Sequence, residues 1–150
     1  MASFPVLEEI TGYGEGDDAT TGDFNYTVSS TELTTIDLSS LVSVDGAFSV
    51  SSIDSGAALY GITLNNIESI GGALTLSGSN QYFNDLSSFL TLTSVGSVSI
   101  TTLTALADFE GLKNAIPSLS SSSWSVSGCA YNPSYQNMCD GEYVAATVVE

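Results

Sequence analysis

The stretch Ile67–Leu76, IESIGGALTL, decides the fold, because similar phrases precede and follow it. LVSVDGAFSV ends at Val50 and LTSVGSVSI ends at Ile100. The glycine that precedes each short run recurs at intervals of 24, 26 and 24 residues, at Gly22, Gly46, Gly72 and Gly96. A fixed period of this length indicates an array of stacked structural repeats.

The runs after these glycines alternate between apolar residues and Ser or Thr, which predicts strands with one buried face. A fifth, degenerate copy, SWSVSG, places Trp124 26 residues after Val98. One short unit cannot bury its apolar edge alone, so the units are expected to stack and form continuous apolar columns. The expected column residues are Phe48 and Val50, Leu74 and Leu76, Val98 and Ile100, and Trp124 and Val126.

A second strand is predicted ahead of the glycine in each unit. LTTIDL from Leu33 and LYGITL from Leu59 have the L-x-x-L-x-L spacing of leucine-rich solenoids. The prediction is a mainly β chain, a short β-solenoid of about five rungs with a 24–26 residue period, forming a single domain over 1–150. The alternative is a β-sandwich, which also has many short strands but no reason to keep such a period.

One short helix is predicted near residues 108–116. Phe109, Leu112 and Ile116 are spaced to share one face, and Pro117 would end the helix. It would sit at a corner of the last rungs.

Composition restricts the function. Seventeen Asp and Glu face one basic residue and no His, giving a net charge of −16. Nucleic acid and anionic membrane surfaces are therefore poor partners. Without His or Arg, most nucleophile pairs and anion clamps cannot be assembled, so we expect no enzyme; a glycoside hydrolase using carboxylates alone is the remaining alternative.

No segment is expected to enter a membrane, since no apolar run approaches the roughly 20 residues that span a bilayer. The start, MASFPVLEEI, lacks the pattern of a signal peptide. Apolar residues make up 43% of the chain, which is ample for a folded core.

Phrases such as LNNIESIGGALTL and WSVSGCAYNPSYQNMCDGEY resemble the receptor L-domain type of leucine-rich repeat. That type includes fungal glycolipid-anchored cell-wall proteins and bacterial surface proteins, and the resemblance covers roughly Thr31 to Tyr143. It implies a short right-handed β-solenoid outside the cell that acts in recognition or as structural material, without catalysis.

The end of the chain carries the two cysteines, Cys129 and Cys139. A disulfide between them would fasten a C-terminal cap over 128–143 and would imply an oxidising compartment. Two reduced thiols are the alternative. The β-prone tail at 144–150 could add a strand, lead to a further domain or pair with another chain.

The acidic loop at 14–23 could hold Ca²⁺ through Glu15, Asp17, Asp18 and Asp23. The D-x-D-x-D-G pattern is absent, so a solvated insertion is the favoured interpretation, and no other cofactor is expected. Asn25 begins an N-x-T sequon, which is usable only in a eukaryotic secretory pathway.

Tyr131, Tyr135 and Tyr143 crowd the closing segment, where aromatic residues can cap the last rung or contact a partner. More generally, the aromatic residues could supply a surface for stacking sugars or binding protein.

These features favour a non-enzymatic recognition, adhesion or structural module, extracellular or at a cell surface, that binds protein or glycan. Its contact surface would be a flat, rigid and acidic face of Ser- and Thr-lined strands. The alternative is a virion or filament component that binds copies of itself through its solenoid end or C-terminal strand.

Overall fold

The computed structural model of the chain describes residues 1–3, 7–11, 22–28, 33–53, 59–112, 115, 117 and 119–130. Short parallel strands stack coil upon coil as a β-solenoid, which confirms the fold class. The described strands are β1 (Ala2–Ser3), β2 (Glu9–Ile10), β3 (Phe24–Thr27), β4 (Thr35–Asp37), β5 (Ser43–Val44), β6 (Phe48–Ile53), β7 (Gly61–Thr63), β8 (Ser69–Gly78), β9 (Ser94–Thr101) and β10 (Trp124–Ser127).

The strands form two sheets that run along the solenoid. The small sheet has the order β1–β4–β7, and the large sheet contains the other seven strands. On the large sheet, β3, β6, β8, β9 and β10 lie side by side, one for each predicted rung. Every strand pair in the described residues is parallel, which is incompatible with an antiparallel β-sandwich.

Strand β8 takes the place of two strands of the preceding coil. Its first residues pair with β5, and its later residues pair with β6. Between these two parts, Gly71 and Gly72 lie opposite the single Gly96 of β9, which makes a β-bulge. The extra residue lets the repeat period change between coils without breaking the sheet.

The predicted apolar columns are present in the core. Phe48 pairs in register with Leu74, and Leu74 with Val98. Because the strands are parallel, each inward side chain meets its equivalent one coil away, and the apolar edge of each inner rung is covered by its neighbours. The two longest columns consist of Phe24, Phe48, Leu74, Val98 and Trp124, and of Tyr26, Val50, Leu76, Ile100 and Val126.

Aromatic rings pack against each other in the core of the early coils. The Phe48 ring is fully buried and stacks on the Phe24 ring, with centroids 4.9 Å apart and planes 12° apart. The Phe89 ring meets Phe48 edge-on, with centroids 6.3 Å apart. Phe48 therefore joins the large sheet to the 3₁₀ turn at Ser87–Phe89.

The helix predicted near 108–116 is a 3₁₀ turn at Glu110–Leu112 in the described residues. Asp108 forms a parallel bridge to Asp85, so the segment continues the coil before it turns. Phe109 and Leu112 are buried as the spacing predicted, while Ile116 lies outside the described residues. Gly111 lies directly against the Leu86 carbonyl, which shows how tightly adjacent coils approach.

Candidate recognition surface

The outer side of the large sheet consists mainly of small hydroxyl side chains. Alternate residues of a strand point to opposite sides, so each of the five stacked strands presents at least two outward positions. We call these ten positions the hydroxyl face. Its first column is Asn25, Ser49, Thr75, Ser99 and Ser125, and its second is Thr27, Ser51, Ser77, Thr101 and Ser127.

The columns form a nearly regular array. Paired strands lie about 4.8 Å apart, and successive outward residues on one strand lie about 6.6–6.8 Å apart. Thr27 Oγ1 and Ser51 Oγ are 3.4 Å apart, close enough for one hydroxyl to donate to the other. A register shift between β6 and β8 begins after Val50, so the second column is interrupted there. The first column keeps its register across all five strands.

The hydroxyl face carries no ionisable side chain, although the chain has a net charge of −16. The expectation of an acidic strand face therefore does not hold for these ten positions. Described carboxylates lie beside these positions on the same sheet, at Glu9 on β2 and at Asp23 directly before β3, and on other elements, such as Asp37 on β4. At outward strand positions, like charges would repel each other across neighbouring coils, and the hydroxyls avoid that repulsion.

Polar side chains at the corners tie successive coils together. Thr91 Oγ1 donates to the Ile67 carbonyl at 2.6 Å, and Thr93 Oγ1 donates to the Glu68 carbonyl at 3.1 Å. Asn66 Nδ2 donates to a corner carbonyl of the preceding coil. These bonds satisfy backbone oxygens where the strand ladder stops, and they support the face from its edge.

A second surface feature was missed by the sequence analysis. Tyr60 and Tyr82 are exposed and in contact, with ring centroids 5.2 Å apart and ring planes inclined by 50°. Tyr60 precedes β7 of the small sheet. The two tyrosines are 22 residues apart, outside the repeat period, so no sequence pattern brought them together.

Three of the sequence-predicted site residues can be placed. Asp23 is exposed, and its Oδ1 accepts a hydrogen bond from the Ala47 backbone N–H at 2.7 Å. Asn25 is exposed at the start of the first column of the hydroxyl face. Cys129 is half-buried and packs against the core.

The remaining predicted site residues lie outside the described residues. They are Glu15, Asp17, Asp18, Cys139, Tyr131, Tyr135 and Tyr143. In the described ranges, no three His, Cys, Asp or Glu side chains are grouped to hold a metal ion. The predicted Ca²⁺ loop and aromatic cap therefore stay predictions.

Within the part of the chain that the structure describes, no helix is long and apolar enough to cross a membrane. Comparisons with protein-family models, with curated proteins and with solved structures give no match. The resemblance to receptor L-domains accordingly stays a prediction, and the fold rests on the strand register itself.

Proposed function

We propose that this protein is a non-enzymatic recognition or structural module, extracellular or at a cell surface, and that the hydroxyl face is its contact surface. The observation that carries the proposal is the uncharged first column, held in register across five strands of a strongly acidic chain. Covering hydroxyls with a polar partner costs much less desolvation than covering carboxylates.

The partner that this surface suits is a neutral, polar and extended one, such as a glycan or a polar protein surface. Hydroxyls both donate and accept hydrogen bonds, so a fixed array of them can match either kind of group on a partner. The backbone beneath these hydroxyls is held by the hydrogen bonds between parallel strands and by the side-chain hydrogen bonds at the corners. Binding therefore costs little ordering of the protein.

Charging the face tests this proposal. The double variant Thr75→Glu/Ser99→Glu places two carboxylates on neighbouring strands of the first column. On a glycan array, binding by the native chain should weaken at least about tenfold in the variant, equivalent to about 1.4 kcal/mol. The reason is that the partner would have to desolvate two charges that it cannot pair.

The control is Thr35→Glu/Thr63→Glu, which also adds two carboxylates, at half-buried positions of β4 and β7 on the small sheet, where Thr63 pairs with Asp37. It should keep native binding. Equal losses in the two variants would contradict the assignment to the hydroxyl face. Glycan hydrolysis that disappears when a single carboxylate is removed would contradict the non-enzymatic part.

An extracellular location is compatible with the cysteines, and we propose that Cys129 pairs with Cys139. In support, the Cys129 thiol is not free, and the chain has only one other cysteine. The bond would close a small loop beside the core that Cys129 contacts.

Reduction of this disulfide should lower the free energy of unfolding by about 2–3 kcal/mol, because the unfolded chain regains freedom. Urea titrations with and without a phosphine reductant measure the change. A Cys129→Ser/Cys139→Ser variant should no longer respond to the reductant. Two free thiols in the native protein by non-reducing mass spectrometry would refute the pairing.

A further inference from the structure

The exposed tyrosine pair is a feature that the hydroxyl face does not explain. Tyr60 is 56% exposed and Tyr82 is 39% exposed, so the two rings form an exposed aromatic patch. The ring planes are inclined by 50° and are therefore not stacked face to face. The exposed parts of both rings lie close enough together to contact one ligand group.

Asn80 fixes Tyr82 in this position. It is the fully buried polar side chain of the described core, and its Oδ1 accepts hydrogen bonds from the backbone N–H groups of Tyr82, at 2.6 Å, and Phe83, at 2.8 Å. The side chain of the next residue, Phe83, is buried in the core. The backbone at Tyr82 is therefore anchored by both a buried amide and a buried ring.

Tyr60 is anchored by the coil below and by its neighbour. Its backbone N–H donates to the Thr34 carbonyl at 2.9 Å, and the preceding residue, Leu59, is fully buried. Beside it, Gly61 has open space where a side chain would stand. Both tyrosines are thus held by their backbones while one side of the pair stays accessible.

The electrostatic environment favours a positively charged ligand. The chain carries −16, and its one basic side chain, Lys113, lies outside the described residues. Asp85, three residues after Tyr82, is exposed. Its backbone forms a parallel β-bridge with Asp108 on the next coil, which places a second carboxylate nearby. Tyrosine ring faces attract cations within about 6 Å of their centroids, and a negative field adds to that attraction.

We propose that Tyr60 and Tyr82 form a binding site for a quaternary ammonium group of a soluble compound. A quaternary ammonium makes cation–π contacts with both rings and loses little hydration when it leaves water. A neutral sugar would gain nothing from the field. A zwitterionic lipid headgroup has no net charge and would gain no net attraction from the field, so we assign the site to a soluble cation. The proposal does not rest on the hydroxyl face.

The probe is choline, and its neutral tert-butyl isostere is the matched control. Binding is measured from the NMR chemical-shift changes of the Tyr60 and Tyr82 rings. Choline should bind at least about tenfold more tightly than the isostere, and its affinity should fall as salt screens the charges. Tyr60→Leu and Tyr82→Leu should each weaken binding several-fold, whereas Tyr60→Phe should retain it.

Asn80 acts here as a positioning residue. Asn80→Ala should weaken choline binding without a change at any atom that touches the ligand, and Asn80→Asp, which keeps an acceptor oxygen, should restore part of the affinity. Leu90→Ala, at a side chain that is 50% exposed, should leave binding unchanged and serves as the surface control.

Equal affinity for choline and its isostere would overturn the proposal, because the pair would then be a simple apolar patch. Shifts only at other residues would also overturn it. Binding to neutral sugars in place of choline would assign the tyrosines to saccharides instead. Binding to phosphatidylcholine vesicles without binding to free choline would contradict the soluble source.

Discussion

Replacing Phe48 with alanine should lower the free energy of unfolding by about 3–5 kcal/mol. The ring is fully buried, stacks on Phe24 and meets the edge of Phe89, so three coil segments lose contacts at once. Neighbouring side chains are held by the strand ladder on both sides of the vacancy, in register with Phe24 and Leu74. The cavity therefore cannot close by collapse.

Urea denaturation followed by circular dichroism measures this change. Leu90→Ala is the control, since that side chain is half exposed and its loss should change stability by no more than about 0.5 kcal/mol. A loss below about 1 kcal/mol for Phe48→Ala would mean that the stacked column contributes little. In that case the solenoid would have to be held mainly by its backbone ladder.

The period and the alternation were sufficient to predict the core. Phe48, Leu74 and Val98 were placed in one column from sequence, and their register in the sheet is the predicted one. This succeeds because stacking constrains every coil in the same way, so one repeated pattern determines many contacts. The same constraint explains why all strands are parallel.

Features that depend on only one coil could not be predicted. The 108–116 segment has helical spacing, yet Gly111 lies against the Leu86 carbonyl and the chain stays in the coil. Thr102 has a φ of 58°, a conformation that a β-branched residue rarely adopts. Gly128, which lies against Thr102 in the next coil, also has a positive φ, of 72°. Tertiary contact overrides local preference at both places.

The candidate sites were predicted only in part. The Ser and Thr positions of the alternating runs do point outward, as expected, but the composition suggested an acidic face. Net charge gives the number of carboxylates and not their positions, and in the described strands they lie outside the ten positions of the hydroxyl face. The pairing of Tyr60 with Tyr82 depends on the turn at Asn80, which belongs to one coil alone.

Replacing Gly96 with alanine should destabilise the protein by about 3 kcal/mol, the upper end of the usual cost of overpacking. A Cβ at this position would lie 2.5 Å from the Gly71 carbonyl oxygen and 2.8 Å from the Gly72 carbonyl oxygen. Both atoms belong to the backbone of the bulge in β8, so they cannot move aside by changing a rotamer. The bulge has to open or β9 has to shift.

Gly61→Ala is the matched control, because a Cβ there meets nothing within 4 Å. It should be neutral or should stabilise by up to about 1 kcal/mol, since alanine restricts the unfolded chain. Urea midpoints of the two variants give the comparison directly. If Gly96→Ala is tolerated as well as Gly61→Ala, the coils are not held at the spacing that the β8–β9 register requires. The hydroxyl face above them would then lack the rigid support on which its proposed role depends.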